Sequence, residues 1–282
     1  MSFLLTTGII RGSEDLSEIL SYKRPKQFCR PLKNPLNVFG ATGKYPLICG
    51  GKTLNNSITN LCYSFSNDSS QISMTMARAF ASSLLFNNSL LWVTGGEIKN
   101  ESLTNSTEFI NGKISIPGPD LPMELKLHCL VKLSETQALL IGGSGINDAV
   151  QNGTFLYDFS DETWIEGLQM LQPRIGHNCA KLGPLIVVVG SIENEIASKS
   201  VEIMDLQEQN KKWIQGPQVP IQTIGTSAVS LGMKLFLFSE TATFVLNCEE
   251  NCFWKWARNR SPKISRSYGL ALIIPQNMTQ CF

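Results

Sequence analysis

The sequence is poor in the features that mark most catalytic, metal and membrane-spanning proteins. It contains only 2 histidines and 5 tyrosines in 282 residues, and charged residues make up 17% of the chain. No stretch approaches the roughly 18 uncharged apolar residues that a transmembrane helix requires. The G-x-x-x-x-G-K-[ST] and G-x-G-x-x-G patterns of phosphate-binding loops are both absent. These shortages exclude the commonest nucleotide sites and a membrane-spanning helix.

The overall charge is also uninformative about partners. Lysine and arginine number 24 and aspartate and glutamate 23, which gives a net charge of +1, so nothing global indicates nucleic acid or a membrane surface. The hydrophobic content of 43% is that of a folded globular protein. The opening "MSFLLTTGII" lacks a basic leader and a cleavage site. We therefore expect a cytoplasmic protein, or a secreted one if the N-terminus is incomplete.

Apolar runs that end in a glycine or another small residue recur along the chain. Their first small residues are at 8, 50, 95, 142, 190 and 239, in steps of 42, 45, 47, 48 and 49 residues. Each run is preceded by a second apolar segment and followed by a polar loop and another strand-like segment. Four short strands per unit, rich in Val, Ile, Phe and Thr, favour antiparallel sheets. A four-stranded unit repeated at this interval is typical of a β-propeller.

The repeat resembles a known family. In its clearest copies a double glycine, or Gly190-Ser191, is followed by a strand-like segment such as "STEF", "TFLYDF" or "SVEI", and in two copies then by Trp164 or Trp213. This pattern resembles the kelch repeat over essentially the whole chain. The resemblance implies an all-β, six-bladed kelch-type β-propeller with four antiparallel strands per blade. We expect residues 1–282 to form one domain. The closing blade should combine about residues 1–33 with residues 266–274, so that pairing of the C-terminal strand with the N-terminal one closes the ring.

The glycine pairs and the two histidines have structural interpretations. Glycine adopts φ > 0 without strain and lets a neighbouring backbone approach, so the pairs are expected to end inner strands. His128 and His177 occupy nearly the same position in adjacent repeats. Two imidazoles without a third ligand favour packing or hydrogen bonding between blades over a metal site. We expect no metal and no cofactor.

The resemblance leaves one enzymatic alternative open. Kelch-like proteins include copper radical oxidases, whose set of two Tyr, two His and a crosslinked Cys cannot be matched here. They also include six-bladed sialic-acid mutarotases, which need an acid/base carboxylate and an arginine near the central channel. A sugar-active enzyme of the mutarotase or oxidase type, using the central channel, is therefore the alternative function.

The leading hypothesis is a non-catalytic module that binds a protein or peptide through its loops. In kelch-like adaptors, arginines near the start of inner strands grip acidic peptides. The positions that match this slot are Arg78 and Arg174, and Lys126, His177 and Arg266 lie close to it in the repeat. Such adaptors often carry a BTB domain, and since none is recognised here a ubiquitin-ligase role is not carried over. We expect a monomer with a protein or peptide partner, and no nucleic acid.

Charge is unevenly distributed along the chain. Residues 19–67 hold seven Lys or Arg and residues 254–266 hold five, in both cases without an acid, whereas residues 97–166 hold eleven acids and four lysines. The two basic stretches should adjoin in the closing blade and could bind an acidic ligand or a glycan. The candidate contacts are Lys255, Arg258, Arg260 and Arg266. The alternative is a solvated rim with Trp254 and Trp256 packed between blades.

Seven of the eight cysteines fall into three groups. Three lie in apolar strands and are interpreted as small buried hydrophobes: Cys49, Cys129 and Cys179. Cys248 and Cys252 flank the hairpin turn "NCEENC", which brings them within disulfide range. Cys29 and Cys281 both belong to the expected closing blade and form a second candidate pair.

Seven N-x-[ST] sequons are candidate glycosylation sites: Asn55, Asn67, Asn87, Asn100, Asn105, Asn152 and Asn277. Most fall in expected loops. Together with the cysteine pairs, they favour an extracellular glycoprotein, whereas the N-terminal sequence favours a cytoplasmic protein. Both possibilities stand at this point.

Overall fold

The structure is a computed structural model of the 282-residue chain. It describes residues 3–9, 15–21, 24–28, 39–41, 47–53, 55–64, 72–87, 90–111, 114–193, 196–223, 226–239, 242–257 and 271–274. These residues contain twenty-four β-strands, two short 3₁₀ turns at Lys99–Glu101 and Ile146–Asp148, and no α-helix. No helix with the length and apolarity of a membrane span occurs among them.

The strands form six four-stranded antiparallel sheets, here numbered 1 to 6. Sheet 1 contains β24 (Ala271–Ile274), β1 (Phe3–Ile9), β2 (Asp15–Ser21) and β3 (Arg24–Phe28). Sheet 2 contains β4 (Phe39–Ala41), β5 (Leu47–Cys49), β6 (Leu61–Ser64) and β7 (Ile72–Ser73). Sheet 3 contains β8 (Ser82–Asn87), β9 (Leu90–Thr94), β10 (Thr107–Asn111) and β11 (Ile114–Pro117).

The other three sheets follow the same order of four consecutive strands. Sheet 4 contains β12 (Cys129–Lys132), β13 (Gln137–Ile141), β14 (Thr154–Asp158) and β15 (Thr163–Glu166). Sheet 5 contains β16 (Asn178–Leu182), β17 (Leu185–Glu193), β18 (Ile196–Asp205) and β19 (Trp213–Gln215). Sheet 6 contains β20 (Ser227–Leu231), β21 (Lys234–Phe238), β22 (Thr243–Asn247) and β23 (Phe253–Ala257).

The expected all-β architecture of four-stranded antiparallel sheets is therefore confirmed. Within each sheet the apolar run of the sequence forms the second strand, and in β13 and β17 its central residues are almost fully buried. The first strands β4, β8, β12, β16, β20 and β24 contact one another in that order. In sheet 1 the last strand of the chain pairs with the first one, with Phe3 opposite Ile274.

The second strands are continuous apolar runs because sheets cover both of their faces. Between sheets 3 and 4, Trp92 is fully buried and its ring centroid lies 5.5 Å from that of Tyr157 and 6.0 Å from that of Trp164. Its indole N–H donates to Oγ1 of Thr107 over 3.0 Å. The outermost strands are exposed instead, as Ile114 in β11 shows at 66% exposure.

The double glycines end the second strands in the left-handed conformation, as expected. The φ angles are +58° and +101° at Gly95 and Gly96, and +56° and +105° at Gly142 and Gly143. A Cβ on Gly95 would lie 2.5 Å from the carbonyl oxygen of Leu125 in the next sheet. A larger residue is excluded because a neighbouring sheet comes too close.

All six described cysteines form disulfides, so the interpretation of three of them as buried hydrophobes is wrong. Cys49 bonds Cys62, which faces it directly on the paired strands β5 and β6. Cys129 on β12 bonds Cys179 on β16 and so links the first strands of sheets 4 and 5. The predicted Cys248–Cys252 bridge is present. Cys29 and Cys281 lie outside the described residues.

The bridge between sheets should stabilise the fold more than the hairpin bridge. The residues are 50 apart for Cys129–Cys179 and 4 apart for Cys248–Cys252. Loop-closure entropy then gives contributions of about 4 and about 2 kcal/mol respectively. We expect C129A/C179A to lower the free energy of unfolding in urea more than C248A/C252A does. Equal losses of unfolding free energy in the two variants would contradict the larger contribution assigned to the Cys129–Cys179 bridge.

Candidate functional site

Three equivalent hairpins follow the double glycines of sheets 2, 3 and 4. They span residues 52–58, 97–103 and 144–150, and each is closed by a pairing of its first and last residues. In each, the N–H of the second residue donates to the carbonyl of the sixth: Thr53 to Ser57, Ile98 to Ser102 and Gly145 to Ala149. We call this side of the molecule the glycine end. In sheet 5, β17 and β18 continue past Gly190 as a longer hairpin.

Ion pairs join the bases of these hairpins across three sheets. Glu97, only 4% exposed, has a carboxylate oxygen 2.5 Å from Nζ of Lys52 in sheet 2 and the other 3.8 Å from Nζ of Lys126, which leads into sheet 4. Lys126 Nζ also lies 3.1 Å from the exposed carboxylate of Asp148. Both lysine side chains keep 20% of their surface exposed. The cluster thus has a buried anion and two cations that still reach solvent.

Beside the ion pairs, two bulky residues adopt a conformation that usually requires glycine. Phe80 and Leu127 have φ of +54° and +56°, and Gly176 takes the equivalent position before sheet 5 with φ of +60°. Leu127 N–H donates to the Phe80 carbonyl over 2.8 Å, and Gly176 N–H donates to the Leu127 carbonyl over 3.0 Å. Lys52 Nζ lies 5.1 Å from the centre of the Phe80 ring. This strain at a surface cluster is typical of functional sites.

The hairpin of sheet 4 adds apolar surface next to the ion pairs. Ile146 is 63% exposed and Val150 is 38% exposed, while Asn147 and Asp148 form its left-handed tip. The glycine end therefore combines lysine N–H donors, carboxylates, one aromatic ring and an exposed aliphatic side chain within a few residues. This combination suits non-covalent recognition of a peptide or loop that is partly charged and partly apolar.

The two arginines predicted to bind a ligand are instead buried structural residues. Arg78 is 1% exposed; its guanidinium donates to the carbonyls of Gly95 and Ser106, both over 2.9 Å, and to the Glu108 carboxylate over 2.9 Å. Burial lowers the pKa of Arg78, and the charge of Glu108 opposes that change. The other oxygen of Glu108 accepts the N–H of Thr75. The pair therefore fixes the segment that enters sheet 3.

Arg174 repeats this arrangement before sheet 5. It is also 1% exposed, and its guanidinium donates to the Gly190 carbonyl over 2.7 Å and to the Glu202 carboxylate over 2.9 Å. Glu202 also accepts the N–H of Leu171 over 2.7 Å. Neither arginine side chain is available to a partner in this conformation.

Comparison of the repeats shows that arginine and glutamate occur together or not at all. The register of the third strands places Glu108, Phe155, Glu202 and Phe244 in one slot. The matching entry slot holds Arg78, Leu125, Arg174 and Thr223. Sheets 3 and 5 thus have the ion pair, whereas sheets 4 and 6 have an aromatic residue without an arginine. This internal covariation indicates a structural role.

The two histidines are buried between sheets and uncharged. Oγ1 of Thr94 lies 2.8 Å from Nε2 of His128, while neither nitrogen of His177 has a well-aligned hydrogen bond within the described residues. Burial, reinforced by the charge of Arg78 for His128 and of Arg174 for His177, lowers both pKa values to about 3. The rings pack on Gly95 and Gly142 of the preceding sheets.

The described residues contain no group of three or more His, Cys, Asp or Glu that could hold a metal ion. We call the surface predicted for Lys255, Arg258, Arg260 and Arg266 the basic sector. Of these residues, Arg258, Arg260 and Arg266 lie outside the described part of the chain. Lys255 is exposed on the outermost strand of sheet 6, with Nζ 4.7 Å from the centre of the Phe253 ring. Trp254 packs inward and donates its indole N–H to the Pro217 carbonyl.

Among the candidate residues that the structure describes, only Lys126 joins the glycine-end cluster. Sequence reasoning missed its partners Lys52, Glu97 and Asp148. A signal was present, since Lys52, Glu97 and Ser144 each come directly after a double glycine. Extending the alignment by one residue past the double glycine would have placed Lys52 and Glu97, which have opposite charges, at the bases of adjacent hairpins.

Sequence comparison finds relatives for part of the chain. Kelch-like protein 25 from Homo sapiens is 28% identical over 134 residues, which is 45% of this chain and 23% of that protein. The proteins of the same name from Xenopus laevis and Rattus norvegicus match with the same identity and coverage. The matched segment thus spans about a quarter of the length of these curated relatives. No family model matches the chain.

Structure comparison covers most of the chain. A solved structure described as "Structure of YjhT" matches with a TM-score of 0.69 at 15% identity, over 87% of this chain and 89% of that one. At this identity the likeness concerns the fold alone.

The internal covariation leads to a test of the buried ion pairs. Arg174→Leu alone should lower the free energy of unfolding by about 3–5 kcal/mol, because Glu202 is left buried without its partner. R174L/E202F, which copies the Leu125 and Phe155 of sheet 4, should recover most of that loss. Urea unfolding of the two variants checks this. A double variant no more stable than the single one would show that the two positions are not coupled.

The buried histidines should make the protein sensitive to acid. The unfolded chain takes up their protons below the ordinary pKa of 6.5, whereas the folded chain does so only near pH 3. The free energy of unfolding therefore falls as the pH falls from about 6.5 to about 3, by up to about 1.4 kcal/mol per pH unit for each histidine.

His177→Thr, which copies Thr226 of sheet 6, removes one of these groups. We expect its free energy of unfolding to fall less steeply with decreasing pH than that of the unchanged protein, in urea titrations between pH 4 and pH 7. Titration of the carboxylates changes the free energy of unfolding equally in both proteins. The difference between the two slopes against pH therefore reports His177. Identical slopes would mean that His177 is protonated in the folded state.

Proposed function

We propose that this chain, a kelch-repeat protein, is a non-catalytic module that binds a protein partner through the glycine end. The observation that carries the proposal is the cluster formed by Lys52, Glu97, Lys126 and Asp148 beside the exposed Ile146. It joins hairpins of three sheets into one surface with polar and apolar groups side by side. A surface of this kind suits a peptide or loop that has a carboxylate near an aliphatic side chain.

We further propose that residues 1–282 form one domain, a closed propeller of six blades. Each four-stranded sheet is one blade, and the chain of contacts between first strands from β4 to β24 supports this arrangement. Pairing of β1 with β24 supports a closing blade made from both ends of the chain. The ring closes when β24 packs against β4, which leaves few sheet edges open to association and favours a monomer.

The basic sector is a second surface for an acidic ligand or glycan. Lys255 supports it with an exposed ammonium group over the Phe253 ring, on the outermost strand of sheet 6. Its position on an outer strand separates it from the glycine end, so the two surfaces can be tested independently.

The sugar-active alternative requires a carboxylate and an arginine that are free to act on a substrate. In the described part of the chain, the two buried arginines Arg78 and Arg174 are both bound to glutamates of their own sheets. Exposed loops that differ between repeats, above a constant framework, are typical of recognition instead. These observations favour the binding module.

An exposed side chain at each end of the sheets allows a matched test of the glycine end. Ile146 is 63% exposed near the tip of its hairpin, and Leu231 is 53% exposed at the end of β20, next to the turn into β21, at the other end. Neither substitution to serine should lower the melting temperature, since both side chains face solvent.

We expect Ile146→Ser to reduce partner binding at least tenfold and Leu231→Ser to leave it unchanged. The measurement is affinity capture of partners by the unchanged chain, identification by mass spectrometry, and titration of the purified partner with each variant. Equal binding by the Ile146 and Leu231 variants would rule out the glycine end. Catalytic turnover of a free sugar by the purified chain would instead establish the enzymatic alternative.

A further inference from the structure

The cysteine pairing indicates where this chain matures. All six described cysteines are in disulfides, one within sheet 2, one in a hairpin turn and one between sheets 4 and 5. Disulfides of this structural kind persist in oxidising compartments and are rare in the cytosol. In eukaryotes the same compartment transfers oligosaccharides to asparagine in N-x-[ST] sequons. The disulfides therefore favour a compartment in which the sequons can be glycosylated.

The structure separates the sequons by their surroundings. Asn55 and Asn100 are exposed on the hairpins of sheets 2 and 3, as are the serines that complete their sequons, Ser57 and Ser102. Asn152 is half-buried instead, and its side-chain N–H donates to the Met170 carbonyl over 3.3 Å. A glycan on Asn55 or Asn100 would project into solvent, whereas one on Asn152 would crowd a structural contact.

The other four sequons are less favourable or lie outside the described residues. Asn105 is half-buried on the segment that leads into β10. The backbone of Asn87 is part of β8 and pairs with Leu90. Asn67 and Asn277 lie outside the described residues.

The third hairpin provides an internal comparison. Counted from the double glycine, Asn55, Asn100 and Asn147 occupy the same position, and the residues two places later are Ser57, Ser102 and Ala149. Sheets 2 and 3 therefore carry a sequon at the hairpin tip, whereas sheet 4 has the asparagine without the hydroxyl. The hairpin that lacks a sequon is the one with the exposed Ile146.

We infer that Asn55 and Asn100 carry N-linked oligosaccharides, which cover two of the three hairpins and leave the hairpin of sheet 4 open. In the transfer, Nδ2 of asparagine attacks the anomeric carbon of a polyprenyl-diphosphate-linked oligosaccharide. The C–N bond forms, the C–O bond to the diphosphate breaks, and the amide loses one proton as the polyprenyl diphosphate leaves. The second part of the inference rests on the proposed function, because it assigns docking to the open hairpin.

The first experiment maps the glycans without reference to any partner. The full chain is directed through the secretory pathway of cultured animal cells, and its peptides are analysed after amidase-type deglycosylation in heavy-oxygen water, which marks each occupied asparagine as labelled aspartate. We expect the label at Asn55 and Asn100. Asn55→Gln and Asn100→Gln should each lower the apparent mass on a gel by that of one oligosaccharide. Unlabelled Asn55 and Asn100 on a secreted, disulfide-bonded chain would overturn the inference.

The second experiment adds the missing sequon to the open hairpin. Ala149→Thr completes a sequon at Asn147, and Ala149→Val is a control of the same shape without the hydroxyl. Residue 149 is exposed and has φ of −65° and ψ of 107°. Its hydrogen bonds use the backbone alone: they are those of the hairpin, and its carbonyl also accepts the side-chain N–H of Gln151 over 2.8 Å. Both β-branched residues should therefore fit.

We expect the threonine variant to gain one oligosaccharide and to lose partner capture, and the valine variant to keep both the original mass pattern and capture. A threonine variant that carries the new glycan and still captures the partner would show that docking does not use the hairpin of sheet 4. The glycan map of the first experiment would stand in that case, so failure of the docking assignment and failure of the glycosylation sites are distinguishable.

Discussion

The spacing between neighbouring sheets depends on one repeated backbone hydrogen bond. The N–H of the second glycine donates to the carbonyl of the residue in the entry slot of the next sheet: Gly51 to Arg78 over 2.9 Å, Gly96 to Leu125 over 2.7 Å and Gly143 to Arg174 over 2.8 Å. The donor needs a positive φ, and the approach leaves no room for a Cβ. Because the acceptor is a carbonyl, the side chain in the entry slot is free to vary. The framework therefore requires glycine at the donor position. It does not require arginine in the entry slot, where Arg78 and Arg174 depend instead on the glutamates that bind them.

Because the side chain in the entry slot is free to vary, the space between that slot and the third strand is filled in two different ways. Where the entry slot holds Arg78 or Arg174, a glutamate of the third strand neutralises the guanidinium and also accepts a backbone N–H of the incoming segment. Where it holds Leu125, the third strand supplies Phe155. Replacing a buried ion pair by apolar residues of similar volume is often neutral, whereas removing one partner is costly. The repeats therefore exchange both residues together, and a family resemblance that assigns arginines to ligand binding is misleading at these positions.

The repeat pattern predicts strands and turns well because both are local. The apolar runs, the double glycines and the hairpin "NCEENC" depend on residues a few places apart, and the structure places them as expected. The missed disulfides depend on register and on contacts between sheets. Cys49 and Cys62 face each other only once the pairing of β5 and β6 is known. Cys129 aligns with Asn178 in the repeat, one place before its partner Cys179, so alignment of the repeats alone never brings the two together.

The two ends of the sheets differ in how much they can vary. At the end opposite the glycines, Lys132 and Lys181 each donate to a carbonyl of the preceding sheet, Phe86 and Leu133 respectively, and the strands are joined by short turns such as Gly183–Pro184. At the glycine end, constant glycines hold the bases of hairpins whose tips differ in charge, apolar surface and sequons. The buried Glu97 ties these bases together across three sheets. A fixed base under variable tips lets the surface of the tips change without changing the fold, and this is why we propose recognition at the glycine end.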